Sequence, residues 1–260
     1  KDDEVIIPEI TWTGSSAPIT YCQSKPVFAD VTKKDWCLDP ISVENNINKK
    51  TKAIICVNIY GNMPQMKELM AISKKYNIPL IEDAAEALGS KYNNIKAGKF
   101  GLASVHSFHR TKTITTGEGG MMVFENPELV EVASSLRSHG MTNLAWDRVL
   151  GALSYNVSAL GYNYRMDDLR ASIGIAQLSK LKSFVRSRKK LVEIYKREIA
   201  LIDNIHVPTF GQKKNSANYI FPLLLKLGNR DVFREKLDSK GVQTSVHYTP
   251  CHQFDSYDTG

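Results

Sequence analysis

Short apolar runs alternate with helical stripes along the first half of the chain. Residues 53–60 are apolar and β-branched, a run short enough for a strand buried on both faces. Residues 61–64 (GNMP) interrupt it, and apolar side chains then recur at helical spacing from Met66 to Tyr76. Asn77 ends this predicted helix, and residues 79–83 form the next strand. These three elements predict a βαβ unit and a sheet that is at least partly parallel.

The remaining pattern predicts one large and one smaller domain. Further strands are expected at 5–7, 26–30, 104–108 and 121–124, and helices at 127–138 and from about 167 past 196. After this long helix the order of predicted elements changes, and we expect strand 219–227, helix 231–240 and strand 243–248. The fold class is therefore α/β, with a mostly parallel sheet in a large domain (1–190) and a partial α+β small domain (191–260).

Composition narrows the protein class. The chain has 260 residues, of which 42% are hydrophobic and 23% charged, so disordered, collagenous and disulfide-scaffold classes are excluded. Its apolar runs are too short to span a bilayer, and the opening KDDE lacks a signal-peptide pattern. Four scattered cysteines without a C-x-x-C pair are typical of a reducing compartment. We expect a cytoplasmic protein with no membrane partner.

The net charge of +7 raises the question of nucleic-acid binding. Much of this charge lies between Lys180 and Arg197, where basic residues alternate with apolar ones at mostly helical spacing. This arrangement is typical of an amphipathic helix with a solvated basic face. Because no helix-turn-helix, zinc-finger or RNA-binding motif accompanies it, we expect no nucleic-acid partner and keep such binding as a weak alternative.

Two positions are candidates for chemistry. Asp83 closes a predicted strand, and ligands of open α/β sheets lie beyond the carboxyl ends of the strands. From this position alone, capping of a following helix is the better alternative. Lys112 lies in a loop between Ser107 and the turn TGEGG at 116–120; it is either a solvated charge or, beside a carboxylate, a Schiff-base amine.

The spacing of the glycines and histidines does not match the motifs of several other kinds of site. The glycines at 117, 119 and 120 match neither the dinucleotide-binding nor the P-loop pattern. His106 and His109 stand three apart, and His247 and His252 five apart, without H-E-x-x-H or a cysteine pair. No G-x-S-x-G elbow is present. We therefore expect packed or capped histidines, no metal and no serine hydrolase.

The ordered motifs resemble one enzyme family. The chain is similar to the DegT/DnrJ/EryC1/StrS sugar aminotransferases, which are fold-type I enzymes that use pyridoxal 5'-phosphate. The resemblance covers nearly the whole chain, and it rests on IEDAAEALG at 81–89, SF-x-x-x-K at 107–112, TGEGG at 116–120, GYNYRM at 161–166 and AQL at 176–178. Flanking segments agree, among them R-x-HG at 137–140 and Y-x-P-x-H at 248–252.

The resemblance implies a role for each site residue. Lys112 matches the lysine that bonds covalently to the cofactor and moves the proton, and Asp83 matches the carboxylate that pairs with the pyridine nitrogen. Ser107 matches a phosphate-binding hydroxyl, and Trp12 falls where an aromatic ring stacks on the pyridine. Asn163 matches an asparagine that reaches the cofactor phosphate of the neighbouring subunit, which implies a homodimer with shared sites.

Two departures from the family pattern stand out. Glu86 occupies a cofactor-contacting position where the family usually has Gln or His, and a carboxylate beside the cofactor's phenolic oxygen would repel it unless one of them carries a proton. The chain also begins inside the family pattern, without the preceding phosphate-binding helix start, and ends short of the usual small domain. We expect a fragment of a longer gene product.

The resemblance implies amino transfer, with glutamate as the expected donor, onto a keto carbon of a nucleotide-linked deoxysugar, in polysaccharide or secondary-metabolite biosynthesis. Retention of Lys112 disfavours the dehydratase branch of the family, in which histidine replaces the lysine. The alternatives are a related cyclitol transaminase and a non-catalytic fragment or partner chain of the same fold.

Overall fold

The computed structural model describes residues 2–142, 154–208 and 214–257. Its strands are β1 (Glu4–Pro8), β2 (Lys25–Ala29), β3 (Thr51–Val57), β4 (Leu80–Asp83), β5 (Lys91–Tyr92), β6 (Ile95–Lys96), β7 (Ala103–Ser107), β8 (Gly120–Phe124), β9 (Ile205–His206), β10 (Lys214–Asn215) and β11 (Leu224–Leu225). Its α-helices are α1 (Thr13–Tyr21), α2 (Pro40–Asn46), α3 (Met66–Tyr76), α4 (Pro127–Leu136), α5 (Asp168–Ile199) and α6 (Arg230–Asp238). Short 3-10 turns lie at Ile59–Gly61, Cys251–Gln253 and Asp255–Tyr257.

A six-stranded sheet in the order β2-β1-β3-β4-β7-β8 organises the first half of the chain. All neighbours pair in parallel except β7 and β8, which are antiparallel. The register places Val57 opposite Asp83 and Asp83 opposite Val105. The expected α/β fold with a mostly parallel sheet is confirmed, and β3, β4 and β7 end at one edge.

The predicted βαβ unit is formed by β3, α3 and β4. Met66, Leu69 and Ile72 on α3 are buried in the same cluster as Ile54 and Leu80 of the flanking strands. Each such side chain stabilises the fold by about 1.5–3 kcal/mol relative to its exposed state. Asn77 ends α3 in the left-handed conformation, as expected of a helix-terminating asparagine.

The first predicted strand is shorter than its apolar run suggests. The run extends to residue 60, but β3 ends at Val57, and Tyr60 lies in a 3-10 turn with a φ of 59°. The Tyr60 backbone N–H donates to Glu86 Oε2 at 2.7 Å instead of to a neighbouring strand. A side-chain acceptor therefore terminates the strand.

Two predicted strands of the C-terminal part are largely wrong. Of residues 219–227 only Leu224–Leu225 forms a strand, because the backbone N–H groups of Tyr219 and Ile220 donate to the Tyr60 carbonyl. Residues 243–248 form none, since the carbonyls of Thr244 and His247 accept from the side chains of Arg234 and Tyr60. Apart from Leu224–Leu225, which pairs with β9, these backbone groups bind to neighbouring turns and side chains instead of to another strand.

The predicted domain boundary falls inside α5, which continues past residue 190 to Ile199. The division into 1–190 and 191–260 stays a prediction. Within the described ranges, no helix is both long enough and apolar enough to cross a membrane.

Candidate active site

A cavity of about 470 Å³ lies at the sheet edge where β3, β4 and β7 end. Its volume is in the range of pockets that bind small molecules. Val57, Asp83 and Ser107, the last residues of these three strands, all line it. The remaining wall comes from the α1 region, the loop around Lys112 and C-terminal residues including Tyr219 and Tyr248.

Asp83 contributes a buried carboxylate to this cavity, with 9% of its surface exposed. The Ser15 hydroxyl donates to its Oδ2 at 2.6 Å, and the Ala85 backbone N–H donates to its Oδ1 at 3.0 Å. Residues 84–88 form turns and no helix, so capping of a following helix is wrong as an interpretation of Asp83. Both donors fix the direction of the carboxylate.

Lys112 directs its amine into the same cavity. Its Nζ lies 3.4 Å from Glu86 Oε1 and 4.5 Å from the centre of the Tyr219 ring. Only 14% of the lysine side chain is exposed, which excludes the alternative of a freely solvated charge. A carboxylate and the face of an aromatic ring both stabilise the ammonium form of an amine.

Glu86 is buried at the base of the cavity, with 6% of its surface exposed. Besides contacting Lys112, it accepts hydrogen bonds from the Tyr60 backbone N–H and the Tyr248 hydroxyl. Burial raises the pKa of Tyr248 and the Glu86 charge raises it further, so Tyr248 keeps its proton and donates. Burial, again followed by the Glu86 charge, also raises the pKa of Tyr60.

Trp12 and Ser107 also line the cavity. Trp12 precedes α1 and exposes 63% of its surface, with its ring 6.0 Å from that of Tyr248. Ser107 ends β7, and its hydroxyl accepts from the His109 backbone N–H at 3.3 Å. The exposed ring leaves a face for stacking, and the hydroxyl can still donate to an anion.

Asn163 lies apart from these residues. It is exposed, pairs with Ser138 in an isolated β-bridge and does not line the cavity. Tyr162 and Tyr164 on either side of it stack on each other with ring centres 4.9 Å apart. The structure thus brings Trp12, Asp83, Glu86, Ser107 and Lys112 into one cavity and leaves Asn163 on the surface of this chain.

Sequence reasoning missed four residues that shape the site: Ser15, Tyr60, Tyr219 and Tyr248. Tyr60 and Tyr219 stood within or beside predicted strands, where an apolar run indicates core packing. Tyr248 stood inside a quoted motif that could have identified it. Ser15 offered no signal, because its contact with Asp83 joins positions 68 residues apart.

The donor set fits the cofactor that the sequence predicts. An amine reacts with an aldehyde carbon, and a fixed carboxylate pairs with a protonated ring nitrogen. The Asp83 oxygens accept from Ser15 and Ala85 and retain lone pairs for a further donor. Lys112, Asp83, Ser107 and Trp12 would therefore hold pyridoxal phosphate through its aldehyde, ring nitrogen, phosphate and ring face.

Comparisons with known proteins identify the family of the chain. The model of the DegT/DnrJ/EryC1/StrS aminotransferase family matches residues 1–260. GDP-perosamine synthase of Escherichia coli O157:H7 is 34% identical over 258 residues, covering 99% of this chain and 68% of that protein. The UDP-4-amino-4,6-dideoxy-N-acetyl-beta-L-altrosamine transaminase of Helicobacter pylori is 32% identical over 260 residues, covering 98% and 67%.

The fold agrees as well. Spr1654 from Streptococcus pneumoniae, solved in its PMP form, superposes with a TM-score of 0.90 at 28% identity, covering 98% of this chain and 70% of that one. The chain thus spans about two thirds of the length of these relatives. It belongs to the DegT/DnrJ/EryC1/StrS aminotransferase family, whose members are pyridoxal-phosphate-dependent sugar aminotransferases.

Proposed function

We propose that this chain carries the catalytic site for transferring an amino group from glutamate to a keto carbon of a nucleotide-linked deoxysugar. One observation carries the proposal: the amine of Lys112 and the fixed carboxylate of Asp83 line a single cavity. Two relatives support the substrate class, because one is named for a GDP-linked sugar and the other for a UDP-linked sugar. Glutamate is our choice of donor from the family resemblance.

Each site residue of the chain has a separate role in the proposed reaction. Ser15 orients Asp83, and Asp83 would keep the ring nitrogen of the cofactor protonated. When bound, pyridoxal phosphate supplies a protonated ring that accepts the electron pair released at the reacting carbon. Lys112 would hold the cofactor at its aldehyde carbon and would supply the amine that moves a proton at the reacting carbon. Ser107 would bind the phosphate of the cofactor, and Trp12 would cover its ring.

We also propose a homodimer in which Asn163 completes the neighbouring subunit's site. Asn163 is exposed and does not line this chain's own cavity, which is consistent with that role. We place the reaction in the cytoplasm, because all four cysteines are free thiols, as is usual in a reducing compartment. We retain residues 1–190 as the cofactor-binding domain and 191–260 as part of the small domain.

Borohydride trapping tests the central assignment. After incubation with pyridoxal phosphate, reduction should leave the cofactor covalently attached to the peptide that contains Lys112. The exposed Lys99 is the internal control, because it does not line the cavity. A label spread over Lys91 and Lys99 would contradict the role of Lys112. A folded chain that takes up no cofactor would instead support the non-catalytic alternative.

A further inference from the structure

The surroundings of Glu86 give it more than a packing role. Three donors from three parts of the chain converge on its carboxylate: the Tyr60 backbone N–H after β3, the Lys112 amine in the loop after β7, and the Tyr248 hydroxyl near the C-terminus. A carboxylate with 6% exposure is costly to bury unless such donors compensate it. Glu86 is therefore the group around which these segments meet.

The two oxygens of Glu86 have different partners. Oε2 is bound to the Tyr60 backbone N–H at 2.7 Å, which fixes the carboxylate against the 3-10 turn Ile59–Gly61. Oε1 faces both Lys112 Nζ, at 3.4 Å, and the Tyr248 hydroxyl. One oxygen anchors the side chain, and the other is turned toward the lysine amine.

The remaining side of the amine is also enclosed. The Tyr219 ring lies 4.5 Å from Lys112 Nζ, and the Tyr219 hydroxyl is 3.0 Å from that of Thr111. His247 borders the same cavity, and burial lowers its pKa, so it adds little positive charge there. In this environment Glu86 supplies the negative charge in direct contact with the ammonium group.

We infer that Glu86 is a positioning residue that pairs with the ammonium form of Lys112 and holds its Nζ in the cavity. This inference rests on the proposed role of Lys112 as the cofactor-binding lysine. A neutral Gln or His at this position could not balance the lysine charge in the same way.

The test measures the reactivity of Lys112 without cofactor. The cofactor-free protein is treated with trace acetic anhydride at pH 7.5, and the acetylation rate of Lys112 is measured by mass spectrometry relative to exposed Lys99. Glu86→Gln should raise this relative rate severalfold, because the amine loses the buried ion pair that holds it against the cavity wall and becomes free to meet the reagent. Glu86→Asp draws the carboxylate back by one methylene and should give a smaller increase.

Glu118→Gln is the matched control. Glu118 is 68% exposed in the neighbouring turn and faces His109, so its removal should leave the relative rate unchanged. An unchanged rate in folded Glu86→Gln would overturn the inference; if that variant does not fold, an unchanged rate in Glu86→Asp would do so. Borohydride labelling of Lys112 is scored separately, so failure of the proposed function would be seen independently of this ratio.

Discussion

At the residue scale, two adjacent acids have opposite environments. Glu82 and Asp83 are successive on β4, so their side chains point to opposite faces of the sheet. Glu82 is fully buried and accepts from Asn58 Nδ2 at 2.6 Å and the Phe100 backbone N–H at 3.0 Å. Burial raises the pKa of Glu82 despite these donors. Glu82 is therefore a buried structural acceptor, whereas Asp83 lines the cavity.

Substitution of the two acids should separate catalysis from stability. Asp83→Asn keeps the shape of the side chain but cannot stabilise a protonated ring nitrogen, so kcat/KM should fall by orders of magnitude while the fold survives. Glu82→Gln should lower the free energy of unfolding by about 1–3 kcal/mol, because a buried donor loses its acceptor. Steady-state kinetics and urea unfolding of both variants check the contrast. A near-normal rate in folded Asp83→Asn would rule out its assigned role.

His106 should make the fold sensitive to acid. It is buried, its Nδ1 has no partner within the described residues, and its Nε2 is so close to Gly98 that a Cβ there would lie 2.3 Å away. Burial lowers the pKa of His106, and the charge of Asp83 only partly opposes this. The folded state therefore binds fewer protons than the unfolded state just below the usual histidine pKa of about 6.5.

The sign of the effect follows from that difference. The free energy of unfolding should decrease as the pH falls through the interval between 6.5 and the lower pKa of folded His106. His106→Gln removes the titrating group, so its urea-unfolding free energy should decline less over the same interval. Parallel pH profiles for the wild type and the variant would show that His106 does not contribute.

Residue patterns together with the family resemblance were enough to locate part of the site. Asp83, Ser107 and Lys112 lie at strand ends or in a loop with a recognisable motif, and the fold brings all three to one cavity. The Tyr60, Tyr219 and Tyr248 side chains were not predicted as site residues. Tyr248 contacts Glu86 across 162 positions, and Lys112 meets Tyr219 across more than a hundred. Local sequence patterns carry no information about such long-range contacts.

At the element scale, predictions succeeded where apolar side chains recur at the regular spacing of a helix or strand and are buried. The strands and helix of the βαβ unit are confirmed, because Leu69 and its neighbours occupy one buried helix face against the sheet. Predictions failed at residues 219–227 and 243–248, where backbone groups bond to the turn around Tyr60 and to side chains. An apolar run indicates that a segment is buried, but it does not identify the groups to which its backbone N–H and C=O groups form hydrogen bonds.

Helix α5 should support the cavity wall through a single arginine. The Arg188 guanidinium donates to the Tyr219 carbonyl at 2.9 Å, and the Tyr219 ring covers Lys112. Arg188→Met should lower the unfolding free energy by about 1–2 kcal/mol and weaken cofactor retention, because a charge-assisted hydrogen bond is lost. Arg186→Met, at an exposed position of the same helix, is the control. Equal cofactor affinity in the two variants would contradict this supporting role.

At the scale of the whole molecule, the position of Asn163 raises the question of whose site it serves. It is exposed on this chain and does not line the chain's own cavity. If it donates to the phosphate across a two-fold axis, cofactor binding and dimerisation must stabilise each other by linkage. Asn163→Ala should then weaken cofactor binding by about 1.5–3 kcal/mol, roughly ten- to a hundredfold. An asparagine that only satisfies a turn would change stability and leave cofactor affinity intact.

A mixing experiment distinguishes these two possibilities. Lys112→Ala and Asn163→Ala are each prepared alone, where both sites of a homodimer carry a lesion and activity is low. If the sites are shared, a mixed dimer places the missing amine and the missing amide in the same site and leaves the other site intact. Activity should then rise on mixing, toward one functional site in each mixed dimer. If each subunit used its own Asn163, both sites of the mixed dimer would stay damaged. Absence of recovery after subunit exchange has been verified by mass spectrometry would therefore refute the shared site.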